Sequence, residues 1–385
     1  MSSVKSTIRG AAYIAVLALS LQPLLCAQSC PHGNPDIAQL EDQVEHSSEP
    51  KVIYRAAAIA QDKLTPALRK LCKPGMAVNS VAGAAQVSLA RLGGKEAIEQ
   101  LEQELNGIRS PFDVGSIDKL AAVGTDRALS ILMTFLLAHL SDSSLVVDMG
   151  DASEDVRQDI VKDIATRFQV GPLAPNGNFS VALQDWVSWW NQTKGKPIAL
   201  SISTDLHDPY LQCLARKVEW GFPDAIFDMA NSRNPQVLPV LRKLAEFGDH
   251  SGRSFNLSTI RGRAEFGLAQ MGDPLELNAI KNELNRAGFS GAIEELRLLG
   301  GRDAVAALIN AFDSPDFLPQ YRGFKKTYQK ELNRRDQEIQ NALIKMVVSP
   351  PATKITLYGK KIWKDWWAKN KDTAKFVIPP AVAHE

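Results

Sequence analysis

The sequence predicts an all-α protein built from two homologous halves, and repeated segments are the basis of this prediction. Six of the seven tryptophans belong to one pattern that occurs twice, starting at Trp186 and Trp363, 177 residues apart. Three further pairs of segments match in the same order at offsets between 173 and 179 residues: Pro66–Leu71 with Pro239–Leu244, Ser88–Gly93 with Gly267–Gly272, and Ile117–Gly124 with Ile293–Gly300. Since repetition at a fixed period indicates a repetitive architecture, we expect an internally duplicated chain.

A shorter motif recurs inside each half and predicts the helices. A glycine is followed by apolar residues five and eight positions later, and an apolar stretch at helical spacing precedes it. This spacing is typical of two short amphipathic helices with a glycine stop between them. The motif begins at Gly93, Gly124, Gly221, Gly272 and Gly300.

This pattern resembles the short HEAT repeats found in lyases that act on bilin chromophores. The segments Met271-Gly-Asp-Pro and Leu299-Gly-Gly-Arg-Asp-Ala-Val are closest to the family's turn, and the resemblance covers roughly residues 50–370. It implies an α-α superhelix, a HEAT-like solenoid in which neighbouring helix pairs stack and the ends are capped. It extends to the scaffold alone, since Gly248 lacks the apolar residues and 142–178 carries no clear repeat.

The repeats and the two termini divide the chain into five predicted segments. They are a signal peptide (1–27), an N-terminal linker (28–48), the first HEAT-like half (49–196), the second half (205–374) and a C-terminal tail (375–385).

The N-terminal residues predict export. Lys5 and Arg9 precede the apolar run Ala11–Leu25, and Ala27 follows as a small residue at the expected cleavage site. No later stretch approaches about 18 apolar residues, the length of a membrane span. We therefore expect a secreted or periplasmic protein without a transmembrane segment in its mature form.

The cysteines leave their own state open. Cleavage after Ala27 would leave Cys30, Cys72 and Cys213, an odd number with no Cys-x-x-Cys motif. Cys72 and Cys213 fall in apolar helical patterns and are predicted to be small core residues. Cys30 and His32 could contact a metal, but two ligands form a weak signal, and no metal or cofactor is predicted.

The tryptophans are predicted to cap a hydrophobic core at the end of each half. Residues at positions i, i+3 and i+4 share one helical face. We expect Trp190 and Trp367 to be the more exposed members of their trios, which makes them weak candidates for contact with a partner. In the alternative interpretation, the rings form an exposed platform for a sugar or a peptide.

The C-terminal region is basic. Residues 320–375 contain fourteen Lys and Arg against five Asp and Glu. The simpler interpretation is a solvated helix face; the alternative is a surface for an acidic polysaccharide, a membrane or an acidic protein, while nucleic acid is not expected. The candidates for such contact are Lys325, Lys326, Arg334 and Arg335.

A search for catalytic motifs finds none of the common ones, and we predict no catalytic residue. The densest polar cluster, Asp205 to Tyr210, lies at the junction of the halves and includes His207. An Asp and a His in one cluster could act in acid–base chemistry. Asp208-Pro209 is more simply a helix N-cap followed by proline in the first turn.

These observations together predict an exported, non-catalytic scaffold that binds another protein on the concave face of its stacked helices. The first alternative is a module for glycan or cell-wall polymer that uses the tryptophans and the basic C-terminal surface. The second is an enzyme with a site at the junction of the halves.

Overall fold

The computed structural model describes residues 30, 35–108, 115–142, 145–148, 153–168, 170–174, 180–247, 257, 259–286, 289–314, 317–319, 323–356 and 358–377. Over these residues the fold is all-α, as predicted, apart from one short antiparallel pair of strands, Val146–Asp148 and Ser153–Asp155. The predicted signal peptide and the last residues of the predicted C-terminal tail lie outside them. No helix in the described part of the chain combines the length and the apolar composition needed to cross a bilayer.

The chain divides into two compact units, with the boundary between Phe222 and Pro223. This boundary falls later than the junction of 196–205 drawn from the sequence. The helix Pro209–Glu219, which the sequence pattern places at the start of the second half, belongs to the first unit because it packs on the helix Pro50–Ala60.

Unit 1 is a set of short helices in which alternate helices pack side by side. The row runs from α10 through α2, α4 and α6 to α8, and α5 packs against α7 beside it. The helices are α1 (Ile37–His46), α2 (Pro50–Ala60), α3 (Thr65–Leu71), α4 (Val81–Arg91), α5 (Lys95–Asn106), α6 (Gly115–Val123), α7 (Asp126–Ala138), α8 (Val156–Asp163), α9 (Leu183–Thr193) and α10 (Pro209–Glu219).

Unit 2 shows the same kind of packing. Here α11, α13, α15 and α17 form the row of alternate helices, and α16 packs against α18. The helices are α11 (Ala225–Asn231), α12 (Val237–Glu246), α13 (Ile260–Gln270), α14 (Pro274–Glu283), α15 (Phe289–Leu299), α16 (Gly301–Ala311), α17 (Lys325–Met346) and α18 (Gly359–Asn370).

Side-chain caps fix where several helices begin. Ser80 accepts a hydrogen bond from the amide of Gly83 at the start of α4, and Thr259 accepts one from Gly262 at the start of α13, both at 3.0 Å. The two positions are 179 residues apart, the same offset as between Gly93 and Gly272. Each cap satisfies an amide that the helix itself leaves without a partner.

A hydrophobic core runs through each unit. In unit 2, Phe289, Leu296, Val305, Leu343 and Trp363 are essentially excluded from solvent. Burial of a side chain of this size stabilises the fold by roughly 1.5–3 kcal/mol. The core of unit 1 is of the same kind and includes Ile53, Leu68, Leu101, Leu132 and Trp186.

A disulfide joins Cys30 to Cys213 in unit 1. The prediction that Cys213 is an ordinary core thiol is wrong: its side chain is buried, but its sulfur is bonded to an N-terminal cysteine 183 residues away. A metal site at Cys30 is excluded in this state, because the sulfur of a disulfide is no thiolate ligand. His32 lies outside the described residues. Cys72 is half-buried, and burial raises the pKa of its thiol.

Candidate functional site

Two adjoining cavities open on unit 1, with volumes of about 730 and 770 Å³. Asp126 and Pro197 line both of them. Their walls are the C-terminal ends of α4 and α10, the N-terminal turn of α7, and the segment 194–204, which connects α9 to α10. We call this pair of cavities the unit 1 groove.

A glycine brings α6, α7 and the end of α4 together at the groove. Gly124 lies between α6 and α7 with a φ angle of +63°, a conformation that other residues adopt at a cost. A Cβ atom at this position would lie 2.8 Å from Nη1 of Arg91. Thr125 then caps α7 by accepting a hydrogen bond from Ala128 N. The glycine therefore allows both the turn and the close approach of the arginine.

Two carboxylates hold the connecting segment in place. Oδ1 of Asp126 accepts hydrogen bonds from the amides of Ile198 and Ala199, at 2.8 and 2.7 Å. Oε1 of Glu219 accepts from the amides of Ile202 and Ser203, at 2.6 and 2.8 Å. Such charge-assisted bonds are stronger than neutral ones, so this wall of the groove is held at both ends.

Two arginines of the groove are held by main-chain carbonyls. Nη2 of Arg91 donates to the carbonyl oxygen of Glu219 at 2.6 Å, and Nε of Arg216 donates to that of Ala58 at 3.2 Å. The Arg91 guanidinium also lies over the ring of Trp220, 4.9 Å from its centroid. These carbonyls belong to helix C-termini, where a positive charge is favourable.

Burial changes the ionisation of both arginines. It lowers the pKa of Arg91 to about 10, against the opposing effect of the negative charge of Glu219, and it also lowers the pKa of Arg216. Both groups keep their charge at neutral pH. Neither guanidinium forms an ion pair with a carboxylate of the described residues.

Three exposed basic side chains complete the lining. They are Arg127, Lys194 and Lys196. The groove thus has five basic side chains and two acidic ones, Asp126 and Glu219. A concave surface of one prevailing charge concentrates the electric field and attracts ions of the opposite sign. The groove is therefore suited to bind an anionic group.

The tryptophan trios have nearly the same geometry in the two units. Trp186 and Trp189 pack edge to face at 5.4 Å between ring centroids, and Trp363 and Trp366 do so at 5.6 Å. Trp186 and Trp363 are fully buried, while Trp189, Trp366 and Trp367 are half-buried. Nε1 of Trp186 donates to the carbonyl oxygen of Ser180. The large rings therefore belong mainly to the cores.

The prediction that Trp190 is the most exposed ring of its trio is wrong. Its exposed fraction is 7%, whereas Trp189 is half-buried. The reason is helical geometry: at 100° per residue, position i+4 lies about 40° from position i, while position i+3 lies about 60° away on the other side. Trp190 is thus closer to the buried direction set by Trp186. Trp367 is no clear exception, because it is half-buried like Trp366.

The basic face predicted on α17 is only partly present. Lys325 and Lys326 are exposed in the first turn. Arg334 is about half-exposed, forms an ion pair with Glu331 at 2.9 Å and lies over the ring of Phe289.

Arg335 departs from the prediction of an exposed face, which is wrong at this position. Its side chain is fully buried over the ring of Phe317, 4.0 Å from the centroid, because Arg335, Ile339 and Leu343 share one face of the helix. Burial lowers the pKa of Arg335. This residue is therefore a structural one in unit 2.

The polar cluster at the junction of the predicted halves contains a helix cap. Oδ1 of Asp208 accepts from the amides of Tyr210 and Leu211, at 2.8 and 3.1 Å, and Pro209 occupies the first turn of α10, as predicted. His207 is exposed. Within the described residues, no three His, Cys, Asp or Glu side chains are grouped so that they could hold a metal ion.

A buried polar cluster in unit 1 joins three helices. Nζ of Lys119 on α6 donates to Oε1 of Gln86 on α4 at 3.1 Å and forms an ion pair with Glu104 on α5. Only 2% of the lysine side chain is exposed. Its charge is therefore satisfied inside the unit.

Unit 2 has carboxylates at the matching positions. The offsets of the sequence repeat place Glu265, Glu283 and Glu295 where unit 1 has Gln86, Glu104 and Lys119. Glu265 pairs with Arg261 at 2.8 Å, and Glu283 with Arg286 at 3.5 Å. Burial raises the pKa of Glu295 to about 8, with a further contribution from the neighbouring glutamates. This carboxyl is therefore mostly protonated at neutral pH.

The sequence analysis did not single out the groove. Arg91 and Arg216 are unremarkable basic residues in last helical turns, and Asp126 follows a predicted cap. The repeated glycines indicated where helices end, but no pattern shows which ends meet across more than 100 residues of sequence.

Comparisons with known proteins give no match to this chain among family models, curated proteins or solved structures.

Proposed function

We propose that this chain is an exported, non-catalytic scaffold that binds another protein through the unit 1 groove. The observation that carries this proposal is the groove itself: a wide concave surface with held walls and five basic side chains. Its two carboxylates already accept hydrogen bonds from main-chain amides, which suits a binding surface better than an acid–base site.

We further propose that the architecture is a HEAT-like solenoid, an α-α superhelix of two homologous halves. Rows of alternate helices in each unit support this proposal, since each helix of a solenoid packs on its neighbours along the chain. Equivalent caps at Ser80 and Thr259 support the duplication, as do the matching tryptophan trios. No other element of the proposal depends on the name of the repeat.

Export is supported by two independent features. The N-terminal sequence has the basic, apolar and small-residue segments of a signal peptide. The disulfide between Cys30 and Cys213 is typical of proteins that fold in an oxidising compartment.

The alternatives have weaker support. A glycan platform requires exposed aromatic faces, and three of the six repeated tryptophans are buried while the others are half-buried. Lys325 and Lys326 could still contact an anionic surface, since both are exposed. An enzyme at the junction would need a carboxylate beside His207, but that of Asp208 caps α10.

The test is affinity capture of the tagged full-length chain from the exported fraction of its native host after reversible cross-linking. Mass spectrometry identifies retained proteins, and carbohydrate analysis identifies retained glycan. We expect one defined protein that is retained by the native chain and lost from an Arg127→Glu/Lys196→Glu variant. Retention of glycan without protein would favour the first alternative and contradict the proposal.

A further inference from the structure

The chemistry of the groove indicates what part of a partner it would hold. We propose that the unit 1 groove binds an acidic peptide segment of the partner protein, with the carboxylates of the segment facing Arg127, Lys194 and Lys196. This inference rests on the proposed function and specifies the partner's chemistry.

An acidic ligand follows from the charge of the lining. Asp126 and Glu219 each accept two main-chain amide hydrogen bonds, which reduces their ability to compensate the cations around them. Arg91 and Arg216 bind carbonyl oxygens, which satisfy donors but supply no full negative charge. The three exposed basic side chains thus stand beside two arginines whose charge remains to be balanced. An anionic group in the groove would balance it.

A peptide fits this surface better than a sugar does. Carbohydrates are commonly held by open aromatic faces, and the groove offers none: Trp190 is 7% exposed, and the Arg91 guanidinium covers the ring of Trp220. Each cavity alone is of the size of a small-molecule site, about 300–1,000 Å³. The two adjoin at Asp126 and Pro197 and therefore offer an extended path. A flexible acidic segment can follow such a path.

The internal repeat provides a comparison within the same chain. The matching positions in unit 2 are Gln270 for Arg91 and Asp303 for Arg127, at the offsets of the flanking glycines. A basic residue needed only to stabilise this helix arrangement would be expected in both copies. The basic lining is therefore a property of unit 1 rather than of the repeat.

The experiment measures binding of a fluorescein-labelled peptide of ten glutamates to the full-length chain by fluorescence anisotropy at low ionic strength. The variant Arg127→Glu/Lys196→Glu reverses two exposed charges of the groove. The matched control Lys51→Glu/Lys162→Glu reverses two exposed charges of unit 1 that do not line it. We expect at least about tenfold weaker binding by the groove variant, while the control stays within about twofold of the native chain.

Several outcomes would overturn the inference. They are equal binding of a ten-glutamine peptide, equal weakening by the control pair, and binding of a heparin oligosaccharide in place of the glutamate peptide. Heparin binding that depends on Arg127 and Lys196 would assign the groove to anionic glycan. If the native chain captures a protein whose retention is unaffected by the groove variant, the scaffold function stands and this inference fails. If no protein is captured at all, the proposed function fails first.

Discussion

Replacing Glu295 by glutamine should stabilise unit 2, and the effect should grow with pH. Glu295 is 3% exposed on α15, among Glu265, Glu276 and Glu283. Burial, followed by these neighbouring charges, raises its pKa from 4.5 to about 8. At about 1.4 kcal/mol per pKa unit, the ionised carboxylate destabilises the folded state by about 5 kcal/mol relative to the protonated form.

The sign follows from proton binding. The folded state keeps the proton of Glu295 up to about pH 8, whereas the unfolded chain loses it near pH 4.5. The stability that the protonated carboxyl contributes is therefore fully present below about pH 4.5 and is lost as the pH rises towards 8. Glutamine has no proton to lose, so Glu295→Gln should be about 3 kcal/mol more stable than the native chain at pH 7 and about 5 kcal/mol more stable at pH 9.

Urea denaturation of the full-length chain, followed by tryptophan fluorescence at pH 4, 7 and 9, measures this effect. The neighbouring Glu294 offers a matched control, because it is exposed and pairs with Arg297 at the surface. Glu294→Gln should change the free energy of unfolding by less than about 0.5–1 kcal/mol at every pH. If Glu295→Gln shows the same difference from the native chain at pH 4 and pH 9, the argument from burial is refuted.

The corresponding lysine of unit 1 gives this reasoning a second arm. Glu295→Lys places a cation among Glu265 and Glu283, as Lys119 lies beside Glu104. It should be at least as stable as the native chain at pH 9. Lys119→Glu removes a buried cation from its partner and should destabilise unit 1 by about 3–5 kcal/mol. A lysine variant that unfolds below the native chain at pH 9 would show that the two clusters are not equivalent.

Two further predictions concern the cores of the units. The disulfide closes a long loop, with 183 residues between Cys30 and Cys213, so Cys213→Ser should lower the free energy of unfolding by about 2–5 kcal/mol, and a reductant should act on the native chain but not on the variant; an equal effect of Cys72→Ser would contradict this. Trp186→Ala and Trp363→Ala should each cost about 3–5 kcal/mol in urea denaturation because both rings are fully buried, while the half-buried Trp189 and Trp366 should cost clearly less; equal costs at all four positions would contradict the account of the trios.

The helical fold was predictable because its signals are local. Apolar spacing, glycine stops and caps such as Asp208 act within a few residues, and the structure places α10 where the cap predicts it to begin. The same locality explains the error at Arg335. The residue was interpreted by its charge, although its spacing to Ile339 and Leu343 puts it on the buried face.

The groove and the disulfide were beyond sequence reasoning because they depend on contacts between distant residues. Arg91 reaches the carbonyl of Glu219 across 128 residues, and Cys30 reaches Cys213 across 183. An odd number of cysteines permits several pairings, and nothing in the sequence selects one of them. The exchange of Lys119 for Glu295 was in principle visible in the repeat, but its meaning depends on burial, which the alignment of two segments does not reveal.

The most direct test of the central claim is photocross-linking in the exported compartment of the native host. A photoreactive amino acid is placed at Arg127 or Lys196 in the groove and, as a control, at the exposed Lys51 on α2. The account predicts a discrete protein adduct from both groove positions and none from Lys51. Adducts of the same intensity from all three positions, or no protein adduct from the groove, would contradict the claim that this surface binds a protein partner.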